Sequence, residues 1–206
     1  MIKLCGMRRE EDISFANEAM PDFIGMILAE GYRRTMDFDT AARITKALDP
    51  SIKKVGVFLN TDVEKICSAA EKISLDIIQL HGDETEADVK KLRRLGLPIW
   101  KAFTVHTAED VHRAEEFDCD VMLLECFSAG EIGGSGKVFN GRLLEDMKIS
   151  RPFFLAGGIN LGNIREALEI SPNIDISGGV ETDGVKDRQK ILDIMKIYNE
   201  RKQRYE

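Results

Sequence analysis

The chain has 206 residues, the size of one ordinary domain or of two very small ones. Its residues are 43% hydrophobic and 32% charged, so it can bury a core and is not of the intrinsically disordered class. The formal net charge of −7 and the lack of a basic stripe argue against nucleic-acid binding, so local donors must hold any anionic ligand.

The N-terminal segment and the cysteines predict a cytoplasmic location. MIKLCGMRREED lacks the apolar run of a signal peptide, and no stretch of about 18 apolar residues predicts a membrane span. Four cysteines without CxxC spacing favour a reduced, cytosolic setting. Three scattered histidines, with no HxxxH or HExxH pattern, argue against a dedicated zinc site.

Short apolar runs predict eight buried strands, each near the usual strand length. In chain order they are Ile2–Gly6, Phe23–Leu28, Val55–Leu59, Leu75–His81, Ile99–Val105, Val121–Glu125, Phe153–Gly158 and Ile174–Gly179. Segments with helical spacing lie between them, most clearly Asp62–Ile73, Thr107–Phe117 and Leu161–Ile170. Thr61, Thr107 and Asn160 are the predicted N-caps of these helices.

Alternation of strands and helices predicts a parallel sheet with right-handed crossovers. Eight such units favour a (β/α)8 TIM barrel of the α/β class, and the main alternative is an open doubly wound sheet. No linker or composition break divides the chain, so we expect residues 1–206 to form a single domain. The fold typically takes about 250 residues, so its loops here must be tight.

In a barrel of this kind, functional residues lie where the strands end. Strand alternation places Glu125 on the inward face with Val121 and Leu123. Lys3 shares the parity of Cys5, and the first and last strands are neighbours when a barrel closes. A buried lysine needs a partner, so we expect Lys3 to pair with Asp175.

Six segments, in order along nearly the whole chain, resemble the phosphoribosylanthranilate isomerase family. They are KLCGM at Lys3–Met7, VGVFLN at Val55–Asn60, LDIIQLHG at Leu75–Gly82, GGSGKVF at Gly133–Phe139, LAGGINLGNI at Leu155–Ile164 and IDISGGVETDGVKD at Ile174–Asp187. The resemblance implies a (β/α)8 barrel that performs an Amadori rearrangement in tryptophan biosynthesis. It converts N-(5-phosphoribosyl)anthranilate to the 1-deoxyribulose 5-phosphate with one general acid, one general base and no metal or organic cofactor.

The resemblance assigns Cys5 as the general base and Glu125 as the general acid. A thiol base is expected to be partly exposed with a depressed pKa. Glu125 stands where the family normally has aspartate, and its arm is one methylene, about 1 Å, longer; a displacement of that size can cost ~100-fold in rate. Burial is expected to raise the pKa of this carboxyl and keep it protonated.

The resemblance also implies four substrate-binding side chains. Arg34, in the altered context GYRR, aligns with an arginine expected near the anthranilate carboxylate, and Arg33 could instead be a surface residue. Gln79 is expected to contact sugar hydroxyls and His81 the aromatic end. Asp175 is expected to reach the sugar as well.

Two glycine loops are the expected phosphate site, helped by the N-terminus of a short helix. Their residues are Gly157, Gly158, Ser177, Gly178 and Gly179, and Gly178 stands where the family usually has a second serine. A separate loop, Gly133–Lys137, reads as a cover over the sugar, with Lys137 as an anion partner.

Two other functions stay open at this point. One is a related aldose–ketose isomerase that acts on another phosphoribosyl amine. The other is a non-catalytic phosphate-binding paralogue, against which the retained Cys5 and the carboxylate at position 125 both argue. The expected partner is a small phosphorylated substrate, and the sequence leaves monomer and homodimer undecided.

Overall fold

The structure is a computed structural model that describes residues 1–32, 34–126, 142–145 and 147–205. Eight parallel strands follow one another around a closed barrel. They are β1 (Ile2–Cys5), β2 (Phe23–Ile27), β3 (Lys53–Phe58), β4 (Ile77–Leu80), β5 (Ile99–Val105), β6 (Val121–Cys126), β7 (Phe153–Ala156) and β8 (Ile174–Ile176). Because β1 pairs with both β2 and β8, the barrel prediction is confirmed and the open sheet is excluded.

A helix follows each strand. The helices are α1 (Glu10–Ala19), α2 (Phe38–Ile44), α3 (Val63–Ile73), α4 (Glu86–Leu92), α5 (Ala108–Glu116), α6 (Arg142–Glu145), α7 (Ile164–Ile170) and α8 (Arg188–Tyr205), with short 3-10 turns at Thr45–Ala47 and Arg93–Leu95. Across the described ranges, none of them has the length and apolar character needed to traverse a bilayer.

The N-cap prediction is confirmed for one of the three helices. Thr107 caps α5: its hydroxyl accepts the Asp110 N–H at 3.3 Å, and the Asp110 carboxylate accepts the Thr107 N–H at 2.9 Å. Asp62, not Thr61, precedes α3. Asn163 precedes α7 because Asn160 closes an earlier turn, in which its side-chain oxygen accepts the Gly162 N–H at 2.8 Å.

Between β8 and α8 the chain forms a hairpin of β9 (Glu181–Thr182) and β10 (Val185–Lys186). Asp183 and Gly184 connect the two strands with φ of 51° and 78°, as a two-residue Asp-Gly hairpin turn requires. Residues 177–187, all of which are described, contain this hairpin and no helix, and the short helix near the glycine loops is α7, which follows the loop of Gly157 and Gly158.

Aromatic side chains fill the barrel at its N-terminal end. The ring centroids of Phe23 and Trp100 lie 5.0 Å apart, those of Phe23 and Phe154 5.7 Å, and those of Trp100 and Phe154 4.8 Å. All three residues stand at the first or second position of their strands. Because this plug occupies one end of the interior, the inward-facing polar side chains lie toward the C-terminal mouth.

We predict that Phe154→Ala lowers the free energy of unfolding by about 3–5 kcal/mol, because it opens a cavity in this plug. Phe154 is 1% exposed, whereas Leu161 is 37% exposed, so Leu161→Ala is the matched control and should change stability little. Urea denaturation followed by fluorescence measures both. Equal losses in the two variants would contradict a structural role for the aromatic plug.

Candidate active site

Lys3 and Asp175 form the predicted ion pair inside the barrel. Their Cα atoms are register partners across β1 and β8, and Lys3 Nζ lies 3.0 Å from each carboxylate oxygen of Asp175. Burial disfavours the ammonium form, but the charges and hydrogen bonds of Asp175 and Cys5 together outweigh it, and the pKa of Lys3 is raised. The lysine, which is 0% exposed, is therefore a permanently charged group beneath the barrel mouth.

Cys5 lies beside this ion pair. A Cβ atom added to Gly25 would lie 2.8 Å from Cys5 Sγ and 3.0 Å from Lys3 Nζ, so the thiol and the ammonium border the same point on β2. Cys5 is 7% exposed, and burial raises its pKa although the charge of Lys3 acts in the opposite direction. The expectation of a partly exposed thiol with a depressed pKa was wrong, because desolvation outweighs the neighbouring cation.

Arg34 is held by the hairpin that follows β8. Its Nε and Nη2 donate to the two carboxylate oxygens of Glu181 at 2.6 and 2.7 Å, a bidentate pair. Lys186 donates to the same carboxylate at 3.0 Å and to the Ser177 carbonyl at 2.9 Å. Burial opposes ionisation of Glu181, but hydrogen bonds from Arg34 and the charge of Lys186 lower its pKa to about 2. Arg33 lies outside the described residues.

Gln79, His81 and Glu125 form a hydrogen-bonded row on the other side of the mouth. Gln79 Nε2 lies 3.2 Å from His81 Nδ1, and His81 Nε2 lies 3.2 Å from Glu125 Oε2. The side chains of His81 and Glu125 are 28% and 21% exposed, so the burial of Glu125 is incomplete. His81 and Glu125 line a cavity of about 540 Å³.

The contact between His81 and Glu125 was missed in the sequence. A signal was available, because side chains from alternate strands of a TIM barrel share a layer, and β4 and β6 are alternate strands. Strand parity predicted that both residues point inward, and they do.

The two glycine loops predicted as neighbours are joined. Asn160 and Gly179 form a β-bridge, and a Cβ on Gly179 would lie only 1.9 Å from the Ile159 carbonyl oxygen. Gly157 and Gly158 have φ of 95° and 70°, a conformation that favours glycine. Backbone groups can therefore approach closely here, which is the geometry of a phosphate cradle. The predicted cover loop Gly133–Lys137, including Lys137, lies outside the described residues.

A second buried ion pair was missed in the sequence. Lys101 Nζ lies 3.2 Å from Glu84 Oε2, and it donates as well to the Gly82 carbonyl. Glu84 accepts the N–H groups of Asn60 at 2.7 Å and Gly82 at 2.9 Å. The pair fixes the loop that begins at His81. A lysine within the apolar run IWKAFTV was the signal that such a partner exists.

A closed (β/α)8 barrel with titratable side chains and paired glycine loops at its mouth defines the class of TIM-barrel enzymes. The family model for N-(5'phosphoribosyl)anthranilate (PRA) isomerase matches residues 2–197. The N-(5'-phosphoribosyl)anthranilate isomerase of Endomicrobium trichonymphae is 44% identical over 199 residues, covering 95% of this chain and 96% of that protein. The chain belongs to this family, whose members are aldose–ketose isomerases of tryptophan biosynthesis.

Solved structures agree with this assignment. Phosphoribosyl anthranilate isomerase from Thermus thermophilus superposes with a TM-score of 0.85 at 28% identity, covering 97% of this chain and 98% of that one. A phosphoribosyl anthranilate isomerase in complex with reduced 1-(o-carboxyphenylamino)-1-deoxyribulose 5-phosphate gives 0.80 at 29% identity, with coverage of 97% and 98%.

We predict that Glu181→Gln destabilises the protein in a pH-dependent way. The folded pKa of Glu181 is about 2 against an ordinary value of 4.5, so its contribution is complete above pH 4.5 and is lost as the pH falls toward 2. The difference in unfolding free energy from wild type should be on the order of 3 kcal/mol at pH 6 and should shrink below pH 4. Urea denaturation at several pH values measures it, and a difference independent of pH would contradict the ionised pair.

Proposed function

We propose that residues 1–206 act as one catalytic domain in which Cys5 is the base and Glu125 the acid of the family's Amadori rearrangement. The substrate is N-(5-phosphoribosyl)anthranilate and the product is 1-(2-carboxyphenylamino)-1-deoxyribulose 5-phosphate. The observation that carries the proposal is the position of both side chains at one barrel mouth, on β1 and β6. A sugar bound between them would meet an acid on one side and a base on the other. No organic or metal cofactor enters this scheme.

The acid step opens the ribose ring. Glu125 gives a proton to the ring oxygen as the bond from that oxygen to C1′ breaks, and the nitrogen lone pair forms the iminium. Cys5 then removes the proton from C2′, and the electrons flow to the iminium nitrogen to give an enolamine. Return of a proton to C1′ and loss of the 2′-hydroxyl proton give the ketone.

The buried surroundings of Cys5 favour a strong base. The thiol first loses its proton to solvent, and the raised pKa makes the resulting thiolate a stronger base toward a carbon-bound proton. Lys3, charged and held by Asp175, supplies the positive charge beside the thiolate when it forms. The buried ion pair thus stabilises the thiolate of Cys5, and Lys3 itself does not contact the substrate.

The remaining site residues divide by the part of the substrate that each would hold. Arg34 would bind the anthranilate carboxylate with its guanidinium fixed by Glu181, and Asp175 would face the sugar. The backbone of the joined glycine loops would bind the phosphate, with residues Gly157, Gly158, Ser177, Gly178 and Gly179. A cytoplasmic location remains a prediction.

Complementation of a tryptophan auxotroph that lacks this isomerase tests the proposed function. Wild-type chain should restore growth, and purified protein should convert the substrate in the corresponding fluorescence assay. A non-catalytic phosphate-binding paralogue would do neither while still binding phosphate.

We predict that Cys5→Ser and Glu125→Gln each lower kcat by at least ~100-fold, the usual minimum for loss of a general acid or base. Glu125→Asp keeps the carboxyl and should retain more activity than Glu125→Gln. Cys67→Ser, at another buried cysteine, is the control. Wild-type kcat in Glu125→Gln would remove Glu125 as the acid.

We predict that Gly179→Ala raises KM on the order of tenfold or more, the loss of one or two hydrogen bonds to a charged phosphate. The added Cβ would meet the Ile159 carbonyl oxygen at 1.9 Å and force the two loops apart. Gly178→Ala, in the same loop, should raise KM less, because its Cβ would meet only Arg34 Nη2 at 3.5 Å, an ordinary contact. Steady-state kinetics and stabilisation by inorganic phosphate measure the effect. Equal KM values in the two variants would remove these loops from the phosphate site.

A further inference from the structure

With the Gln79 amide nitrogen placed toward His81, the row of Gln79, His81 and Glu125 implies one position for each hydrogen. Gln79 Nε2 can only donate, so His81 Nδ1, 3.2 Å away, accepts and carries no hydrogen. The single hydrogen of the neutral imidazole is then on Nε2, which lies 3.2 Å from Glu125 Oε2 and donates to it. In this arrangement Glu125 accepts a hydrogen bond and has no proton to give along this contact.

The arrangement raises a question about the acid. An ordinary glutamate titrates near pH 4.3, so at pH 7 only about one in 500 carries a proton. The side chain of Glu125 is 21% exposed, and its neighbour is a histidine. An acid at neutral pH therefore needs a source of protons close to Glu125. Histidine is the side chain that ordinarily changes charge near neutral pH.

An unpartnered atom lies at the far end of the row. Gln79 is 0% exposed, and its side-chain Oε1 is buried with no hydrogen-bond partner in the described part of the chain. If His81 took a second proton, it would be on Nδ1, and Nδ1–H would need an acceptor. Rotation of the Gln79 amide by half a turn would place Oε1 there. The row thus has one arrangement for neutral His81 and a second for charged His81.

We propose that His81 holds the proton that Glu125 delivers, so that the two side chains together form the acid, and that the Gln79 amide turns with the charge of His81. This inference rests on the proposed function and deepens it. It gives Gln79 and His81 a task other than the sugar and aromatic contacts expected from the sequence. His81 acts through Glu125, and Glu125 alone touches the reacting oxygen.

The protons balance over one turnover. His81 Nε2–H passes its proton to Glu125, and Glu125 passes a proton to the ring oxygen as its bond to C1′ breaks. Cys5 takes the C2′ proton, and one proton returns to C1′. The proton that leaves the 2′-hydroxyl when the ketone forms restores the charged His81.

His81 contacts Glu125, and the two cations nearby are paired with other carboxylates. Lys101 of β5 is bound to Glu84, and Arg113 of α5 is bound to Asp110. The titratable or charged side chains that line the same cavity as His81 are Tyr32 from the β2–α2 loop, Asp83 from the β4–α4 loop, Lys101 from β5, Asp110 and Arg113 from α5, and Glu125 from β6.

The first test needs no substrate. Long-range 1H–15N NMR of the whole chain, labelled in its three histidines, reports the hydrogens on each ring nitrogen across pH. The signal lost in His81→Gln identifies His81. We expect hydrogen on Nε2 alone at high pH and on both nitrogens at lower pH. Glu125→Gln, which removes the negative charge, should move that change to lower pH.

Two findings in this experiment would overturn the inference. One is hydrogen on Nδ1 alone at high pH. The other is a protonation change of His81 that is the same in wild type and in Glu125→Gln. Either result stands whether or not the chain isomerises its proposed substrate, so failure here is distinct from failure of the proposed function.

The second test separates the proton from the hydrogen bond. His81→Gln keeps a neutral N–H donor for Glu125 but cannot carry an extra proton. We expect kcat at pH 7 to fall at least tenfold with KM little changed, and part of the loss to be regained as the pH is lowered toward the range where carboxyls protonate. His112→Gln, at an exposed histidine of α5, is the control. Wild-type kcat at every pH in His81→Gln would show that the hydrogen bond alone suffices.

Discussion

The ion pair of Lys3 and Asp175 ties the first strand of the barrel to the last and sets the geometry of its mouth. The partners are 172 positions apart in the chain, yet both oxygens of Asp175 lie 3.0 Å from Lys3 Nζ in a fully buried position. Loss of one partner alone would leave an uncompensated charge in the interior, which is strongly unfavourable. The pair fixes β1 against β8. Cys5 and Ser177 each lie two residues further along the chain, and the Ser177 hydroxyl donates to the Cys5 carbonyl oxygen at 3.1 Å.

Charged side chains are distributed unevenly around the barrel mouth, with three buried or half-buried cations on the side of Cys5. Cys5, the proposed base, lies on the side where Lys3, Arg34 and Lys186 are located, each held by a carboxylate. An anionic thiolate and an anionic substrate are both favoured there, although the chain as a whole carries a formal charge of −7. Glu125, the proposed acid, lies on the side of β4 and β6, where one of its partners is the imidazole of His81. Near Cys5, Lys3 is paired with Asp175, whereas Arg34 and Lys186 share the carboxylate of Glu181.

Features that depend on strand alternation and order could be predicted from the sequence. The eight strands, the inward face of Glu125 and the Lys3–Asp175 pair follow from parity and from closure of the barrel, and the structure confirms these three. The environment of Cys5 could not be predicted, because it depends on how closely β2 packs at Gly25 and excludes water. The ion pair of Glu181 with Arg34 could not be predicted either, since it depends on a short hairpin after β8 that no strand pattern indicated. Local turn chemistry at Asp183 and Gly184 decided that outcome.

The contact with His81 offers an explanation for glutamate at position 125, where the family normally has aspartate. One more methylene moves the carboxylate about 1 Å further from β6, and a shift of that size is costly when an acid must meet a fixed atom. Here the longer arm ends 3.2 Å from His81 Nε2, and His81 is itself fixed by Gln79 below and by the loop that Glu84 and Lys101 hold. The position of the carboxylate is thus determined by its partner as well as by its strand. A glutamate in this place is compatible with the family's chemistry because the imidazole specifies where its oxygen lies.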